Sequence, residues 1–178
     1  MHLNKIRSII SILVLFNISC VSLTKDNYYL DIIKEAKSGS VDFAFMKMRN
    51  YLKDNPDSKY VPEIKFSIIE YYFQINNYNE AISELSAYLN SYPQEQNSVF
   101  AYALLYKIIL KYKKDSKASP GLLRRLEDLF FSKPLFLVFA ESKSKQYRSA
   151  LNNTYKIVNY LDKIEIFRNG ELFFEISL

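Results

Sequence analysis

Side chains that perform nucleophilic or metal chemistry are scarce in this sequence. The 178 residues include one cysteine, Cys20, and one histidine, His2. Both lie within the first twenty residues, so the rest of the chain has neither a thiol nor an imidazole. These two groups are required for Cys-His and Ser-His-Asp catalysis and for most zinc sites. We therefore predict no metal site, no cofactor and no catalysis of these kinds.

Carboxylates are the remaining candidates for catalysis, because a pair of acids can hydrolyse a glycosidic bond. The 19 aspartates and glutamates are scattered among lysines on surfaces that the spacing predicts to face solvent, and no pair stands out. We predict that the protein is not an enzyme. A carboxylate-dependent hydrolase of wall polymers is the less favoured alternative, and it requires two acids that converge in a concave pocket.

The first nineteen residues have the pattern of a secretory signal peptide. Residues 1–7 are basic, and residues 8–18 form an apolar run of the length typical of a signal peptide. A membrane-spanning helix would need ~20 apolar residues. The following Ile18-Ser19-Cys20 resembles a bacterial lipobox, with Asn17 where a leucine is usual. This resemblance implies cleavage before Cys20 and attachment of a diacylglycerol to its sulfur.

Lipidation would make the single cysteine an anchor. Each buried methylene contributes ~0.8 kcal/mol, and two or more acyl chains hold a protein stably on a bilayer. We assign residues 1–19 to the signal peptide and residues 20–27 to the lipid anchor and tether. Val21 resembles the residue found after the cysteine in outer-membrane lipoproteins, which implies a location there, facing the periplasm. The alternative is that Cys20 lies in an uncleaved anchor or beside an ordinary cleavage point.

The charge of the remaining chain is mild. Without Lys5 and Arg7 the formal charge of +5 becomes +3, from 22 basic and 19 acidic residues. Nucleic-acid partners require a clustered basic surface. The lysines at 107, 111, 113 and 114 are explained by the end of a helix, where positive charge suits the dipole. We therefore predict no nucleic-acid partner.

An internal repeat with a period of 37 residues indicates helical hairpins. Residues 41–56 align with residues 78–93, and apolar residues recur at helical spacing in both copies. The helix predicted over residues 61–73 carries two apolar stripes, so it must be covered on two sides. The first helix of each hairpin is called its leading helix. A third leading helix is predicted over residues 98–114, and another helix is predicted to start at Ser119-Pro120. The identical aligned pairs are Ala44 with Ala81, Tyr51 with Tyr88, Leu52 with Leu89 and Pro56 with Pro93.

The second copy resembles a tetratricopeptide repeat. Counted back from Pro93, the residues at positions favoured by that family are Tyr72, Tyr78, Ala81 and Leu85. The predicted fold class is therefore mainly α: a tetratricopeptide-like α-α hairpin solenoid over residues 28–131, in which each hairpin covers the apolar face of the next.

Residues 55–60 join the two predicted hairpins. Together with the lipobox and the repeats, this connecting segment resembles the BamD-like (YfiO-like) lipoprotein family of the outer-membrane β-barrel assembly machine. The resemblance covers roughly residues 20–115, and the chain departs from the family beyond that point. It implies that the chain binds other proteins, the β-barrel assembly complex among them. Tyr72 and Tyr106, on the leading helices, are the candidate partner-binding residues. The alternative is that these tyrosines fill space between helices.

Residues 132–178 are predicted to form a C-terminal α+β appendage that ends in a β-hairpin over residues 163–178. The dipeptide Asn169-Gly170 between two apolar runs is typical of a two-residue hairpin turn. The pairs expected across it are Arg168 with Glu171, Phe167 with Leu172 and Ile166 with Phe173. Because both faces are apolar, the hairpin must dock on the helices, pair with a further strand such as residues 154–161, or bind a partner.

These patterns favour a lipid-anchored periplasmic scaffold of helical repeats that mediates protein–protein interactions in the outer membrane. The resemblance points to a role in β-barrel protein assembly. The alternative is a generic cell-envelope lipoprotein that organises peptidoglycan-associated or secretion complexes.

Overall fold

The computed structural model describes residues 26–115, 119–131 and 146–177. The predicted signal peptide, Cys20 and most of the predicted tether lie outside these residues. The chain divides into two compact units between Ser58 and Lys59.

The described residues of the first unit form two helices, α1 (26–37) and α2 (Val41–Asp54). Gly39 has a φ of +87° in the turn between them, a conformation that glycine adopts without a steric penalty. The two helices are joined by the ring of Tyr28, which packs edge-on against Tyr51 at 5.4 Å. They are also joined by Lys47, whose Nζ lies 2.9 Å from Oε1 of Glu35.

In the second unit, residues 59–115, 119–131 and 146–177 form four helices and a sheet. The helices are α3 (Val61–Gln74), α4 (Tyr78–Ser91), α5 (Ser98–Lys114) and α6 (Pro120–Phe131). As predicted, α3 is buried over a wide arc, because α4 and α5 pack against it. Its polar residues Ser67 and Glu70 are bonded by Ala150 and Tyr155 of the C-terminal segment. Pro62 lies in its first turn, where the missing amide proton costs nothing.

The 37-residue repeat appears in the backbone of the hairpins. The starts of α2 and α4, Val41 and Tyr78, are 37 residues apart, and so are the ends of both helix pairs. Asn76, the counterpart of Gly39, also has a positive φ, of 58°, which asparagine tolerates better than most residues. The amides of Asn55 and Tyr92 each donate to the tyrosine carbonyl four residues earlier at 2.8 Å. Residues 41–56 and 78–93, which were predicted to be equivalent, each contain a 14-residue helix that ends two residues before the aligned proline.

The C-terminal strands form an antiparallel sheet in the order β1 (Gln146–Arg148), β2 (Thr154–Asn159), β3 (Lys163–Arg168) and β4 (Glu171–Ser177). The predicted hairpin is β3–β4, with positive φ at both turn residues, Asn169 and Gly170. Residues 154–161, which the sequence offered as one possible further strand, contain β2. The sequence did not predict β1.

The register of the β3–β4 hairpin agrees with the prediction at two pairs and differs at one. Arg168 pairs with Glu171 and Phe167 with Leu172, as expected. The pairing of Ile166 with Phe173 was wrong, because Ile166 pairs with Phe174. An irregularity between Ile166 and Phe167 leaves Phe173 as an extra residue in β4, which is how a β-bulge shifts a register by one position.

One face of the sheet packs on the helices through aromatic rings. Tyr155 of β2 stacks on Phe100 of α5 at 4.7 Å and meets Phe66 of α3 edge-on at 5.8 Å. Phe174 of β4 packs edge-on against Tyr106 of α5 at 5.1 Å. The hairpin thus docks on its own chain. One continuous core combines residues that the sequence analysis assigned to a repeat domain and to an appendage.

Candidate functional site

The predicted site residues lie in different settings. Cys20, the predicted lipidation site, is outside the described residues. Tyr72 and Tyr106 are both half-buried at the edge of the same core. The ring of Tyr72 meets Tyr71 edge-on at 5.9 Å, whereas the ring of Tyr106 packs between Phe130 at 5.3 Å and Phe174 at 5.1 Å. These contacts favour the space-filling interpretation for Tyr106.

Tyr51 and Tyr88, the aligned tyrosines of the repeat, bond to the loops that follow α2 and α4. The hydroxyl of Tyr51 lies 2.6 Å from Oγ of Ser58. The hydroxyl of Tyr88 donates to Oδ1 of Asn97, a bond that burial makes hard to replace with water. Burial also raises the pKa of Tyr88 well above its ordinary value. The identity of Tyr51 and Tyr88 in the repeat therefore has a structural cause.

An exposed apolar pair distinguishes the first hairpin from the second. Phe43 and Met46 lie one turn apart on one face of α2 and are 53% and 58% exposed. Their counterparts 37 residues later are Glu80 and Ser83, which are also exposed. Single exposed apolar residues are common on protein surfaces. The difference between the two helices is more informative: α2 has two apolar residues at positions where the equivalent helix α4 has polar ones.

A second cluster lies inside the second unit, around Glu70 of α3. Glu70 is fully buried, so the expectation that the acids occupy solvent-facing surfaces is wrong at this residue. The hydroxyl of Tyr155 donates to its Oε1 at 2.6 Å, and Nη2 of Arg168 lies 3.8 Å from the same oxygen. Glu70 lies in the helix of residues 61–73, which carries two apolar stripes. That position in the sequence could have identified Glu70 as a buried acid.

Burial determines the chemistry of Glu70. It raises the pKa of this carboxyl to about 7, against opposing influences from the Arg168 charge and then from the polar side chains of Ser149, Tyr155 and Asn153. Even so, within the part of the chain that the structure describes, Oε2 of Glu70 has no hydrogen-bond partner of normal geometry, and neither do Nε and Nη2 of Arg168. This cluster can take up or release a proton near neutral pH.

The structure does bring two other acids together on the sheet. Glu165 of β3 and Glu175 of β4 are directly paired, and Nζ of Lys163 binds both, at 2.6 and 3.1 Å. The hydrogen bond from Lys163 lowers the pKa of Glu165. Lys163 therefore joins these two carboxylates in one ion network on the sheet.

A cleft of about 690 Å³ lies along β1 and β2. Arg148 and Lys156 give it positive charge, and Phe167 gives it an apolar wall. Within the described residues no group of three or more His, Cys, Asp or Glu side chains could hold a metal ion. The lining residues of the cleft are Gln146, Tyr147, Arg148, Thr154, Tyr155, Lys156, Phe167 and Gly170.

Comparisons with known proteins give this chain no relative: no family model, curated protein or solved structure matches it. Across residues 26–115, 119–131 and 146–177, every helix is too short or too polar to cross a bilayer.

Proposed function

We propose that the protein is a lipid-anchored scaffold of helical repeats that binds other proteins at the periplasmic face of the outer membrane. The single observation that carries this proposal is the 37-residue repeat, in which the second helices of two hairpins start and end 37 residues apart and the equivalent turn residue has a positive φ in both. Repeated hairpins of this kind stack into solenoids whose surfaces bind protein segments. In this proposal the hairpins form a tetratricopeptide-like stack, and Cys20 holds it on the membrane.

The exposed pair Phe43 and Met46 is the contact surface that we propose for the partner. Burying a large apolar side chain contributes ~1.5–3 kcal/mol, and a few such anchors carry most of the energy of an interface. The second hairpin, with Glu80 and Ser83 at these positions, lacks this surface. Tyr72 remains a further candidate contact on a leading helix.

The proposed partner is the β-barrel assembly complex or an unfolded barrel precursor, on the strength of the resemblance to the BamD-like family. The alternative is a lipoprotein with the same anchor that organises peptidoglycan-associated or secretion complexes. The sequence features that favour an anchor are common to both.

Affinity capture of the full chain from its own membranes tests this proposal. We expect an integral β-barrel protein to be recovered, and we expect the double variant Phe43→Glu with Met46→Ser to reduce that recovery about tenfold or more, since two apolar anchors are lost. These substitutions copy the residues of the second hairpin, so the helix should still form.

The matched control is Asn50→Ala, an exposed polar position on the same helix, which should leave recovery unchanged. Circular dichroism of each variant verifies that the helices are intact. Recovery of cell-wall enzymes alone would reject the β-barrel partner and favour the alternative. Equal recovery by the double variant and the control would reject Phe43 and Met46 as the contact surface.

A further inference from the structure

We propose that Glu70, Tyr155 and Arg168 form a proton-dependent latch between α3 and the C-terminal sheet, closed when Glu70 is protonated and weakened when it is ionised. The three residues come from α3, β2 and β3, so the contact joins elements that are distant in sequence.

The position of Glu70 in the repeat indicates a role specific to the second unit. α1 and α3 end 37 residues apart, so the counterpart of Glu70 in the first hairpin is Ile33. The equivalent position therefore holds an apolar residue in the first unit, whose described residues contain no strand. Where the sheet packs, the chain has a carboxyl that is fully buried, although a buried acid costs stability unless its polar atoms are satisfied.

The hydrogen bonds of the latch are incomplete, which makes it sensitive to charge. Tyr155 satisfies Oε1 of Glu70, while Oε2 has no hydrogen-bond partner of normal geometry among the described residues. Arg168 lies 3.8 Å away, too far for a direct hydrogen bond. Its guanidinium also rests over the rings of Phe73, Tyr155 and Phe173 at 5.8–5.9 Å. An ionised Glu70 would thus be a buried charge with incomplete compensation.

Glu70 is the group of this cluster that changes charge near neutral pH. The groups that face it are Tyr147 from β1, Tyr155 from β2 and Arg168 from β3, with uncharged Ser149 and Asn153 from the segment between β1 and β2. Burial raises the pKa of both tyrosines well above 10, so they stay neutral. Arginine stays charged throughout this range.

The direction of the effect follows from linkage. The pKa of Glu70 is about 7 in the fold and 4.5 as the ordinary value. Below about pH 4.5 the carboxyl is protonated in both the folded and the open forms, so it does not penalise folding. As the pH rises from there to about 7, the open form loses its proton first, and stability falls. Above about pH 7 the loss is complete, and the opening equilibrium has increased on the order of a hundredfold.

Two measurements on the full chain test the latch. The first follows the side-chain carboxyl ¹³C signal of Glu70 by NMR, assigned through its loss in Glu70→Gln, and we expect a midpoint near pH 7. The second follows urea unfolding from about pH 4.5 to about pH 8 through the methyl signals of Ile157 and Ile166, which lie in the sheet. We expect the unfolding equilibrium constant of the wild type to rise on the order of a hundredfold.

Glu70→Gln should remove that rise, because the amide stays neutral, and at about pH 8 it should be more stable than the wild type. The control is Glu165→Gln, since Lys163 lowers the pKa of Glu165 and keeps it ionised over the same range. A carboxyl midpoint near 4.5, or an equal pH dependence in Glu70→Gln, would overturn the proposal. Should Glu70→Gln fail to fold, the wild-type titration decides alone, with Glu70 assigned through its backbone. These results do not depend on any partner or anchor.

Discussion

Several tyrosine hydroxyls in this protein bond to buried atoms that a phenylalanine would leave without a partner. Tyr155 donates to Glu70, and Tyr88 donates to Asn97. An unsatisfied buried group costs ~1–3 kcal/mol, whereas an exposed one is rehydrated at little cost. At the scale of single residues, the loss of stability on replacing a tyrosine by phenylalanine therefore depends on whether the atom that its hydroxyl bonds is buried.

Tyr155→Phe tests this directly. Removal of the hydroxyl leaves Oε1 of Glu70 without its donor, and we expect the free energy of unfolding to fall by ~1–3 kcal/mol in urea titrations. The comparison is Tyr112→Phe, which removes an exposed hydroxyl that donates to Asn79 at 3.4 Å and should cost less than ~0.5 kcal/mol. Equal losses in the two variants would contradict the interpretation.

At the scale of elements, the turns determine where helices and strands meet. Gly39 closes the α1–α2 hairpin and Gly170 closes the β3–β4 hairpin, both with φ near +87°. Apart from the adjoining residues in the chain, no atom of the described residues lies within 4 Å of the place where a Cβ would be added at either glycine. The cost of alanine there would come from backbone conformation alone. Gly121 in α6 has an ordinary φ and provides a contrast.

We expect Gly39→Ala and Gly170→Ala each to lower the free energy of unfolding by ~1–2 kcal/mol, because alanine is strained at positive φ. Gly121→Ala should instead raise it by ~0.4–1 kcal/mol, since the added Cβ makes only ordinary contact with Ser119 and restricts the unfolded chain. Thermal unfolding of the three variants measures these changes. A loss at Gly121 equal to that at Gly170 would show that space, not backbone conformation, decides the outcome.

At the scale of the whole molecule, the proposed scaffold depends on an anchor outside the described residues. We expect the intact mass of protein extracted from membranes to correspond to a chain that starts at Cys20 and carries diacylglycerol. Cys20→Ser should abolish the added mass and release the protein from the membrane fraction, because no acyl chain then holds it. An unmodified mass, or a chain that starts elsewhere, would reject the lipoprotein assignment.

The sequence predicted the features that depend on local patterns. Helical spacing located α2 to α6, and Asn169-Gly170 located the turn between β3 and β4. Features that depend on tertiary contacts were missed. The three residues of β1 are too few for an alternating pattern. The extra Phe173 in β4 lies within the apolar run of residues 172–174, which hides the change in alternation that a bulge causes. Glu70 is covered by a sheet from the far end of the chain. The Glu165–Glu175 pair likewise arises from a register that the sequence does not show.

The equal spacing of the helix ends also bears on how such a chain can change in length. Gain or loss of one whole repeat of 37 residues would leave each turn residue, including Gly39 and Asn76, in the same position relative to the helices on either side. A shorter insertion within a helix would rotate all later side chains by about 100° per residue, moving buried positions toward water. Duplication of complete units is therefore the genetic step that this architecture tolerates best.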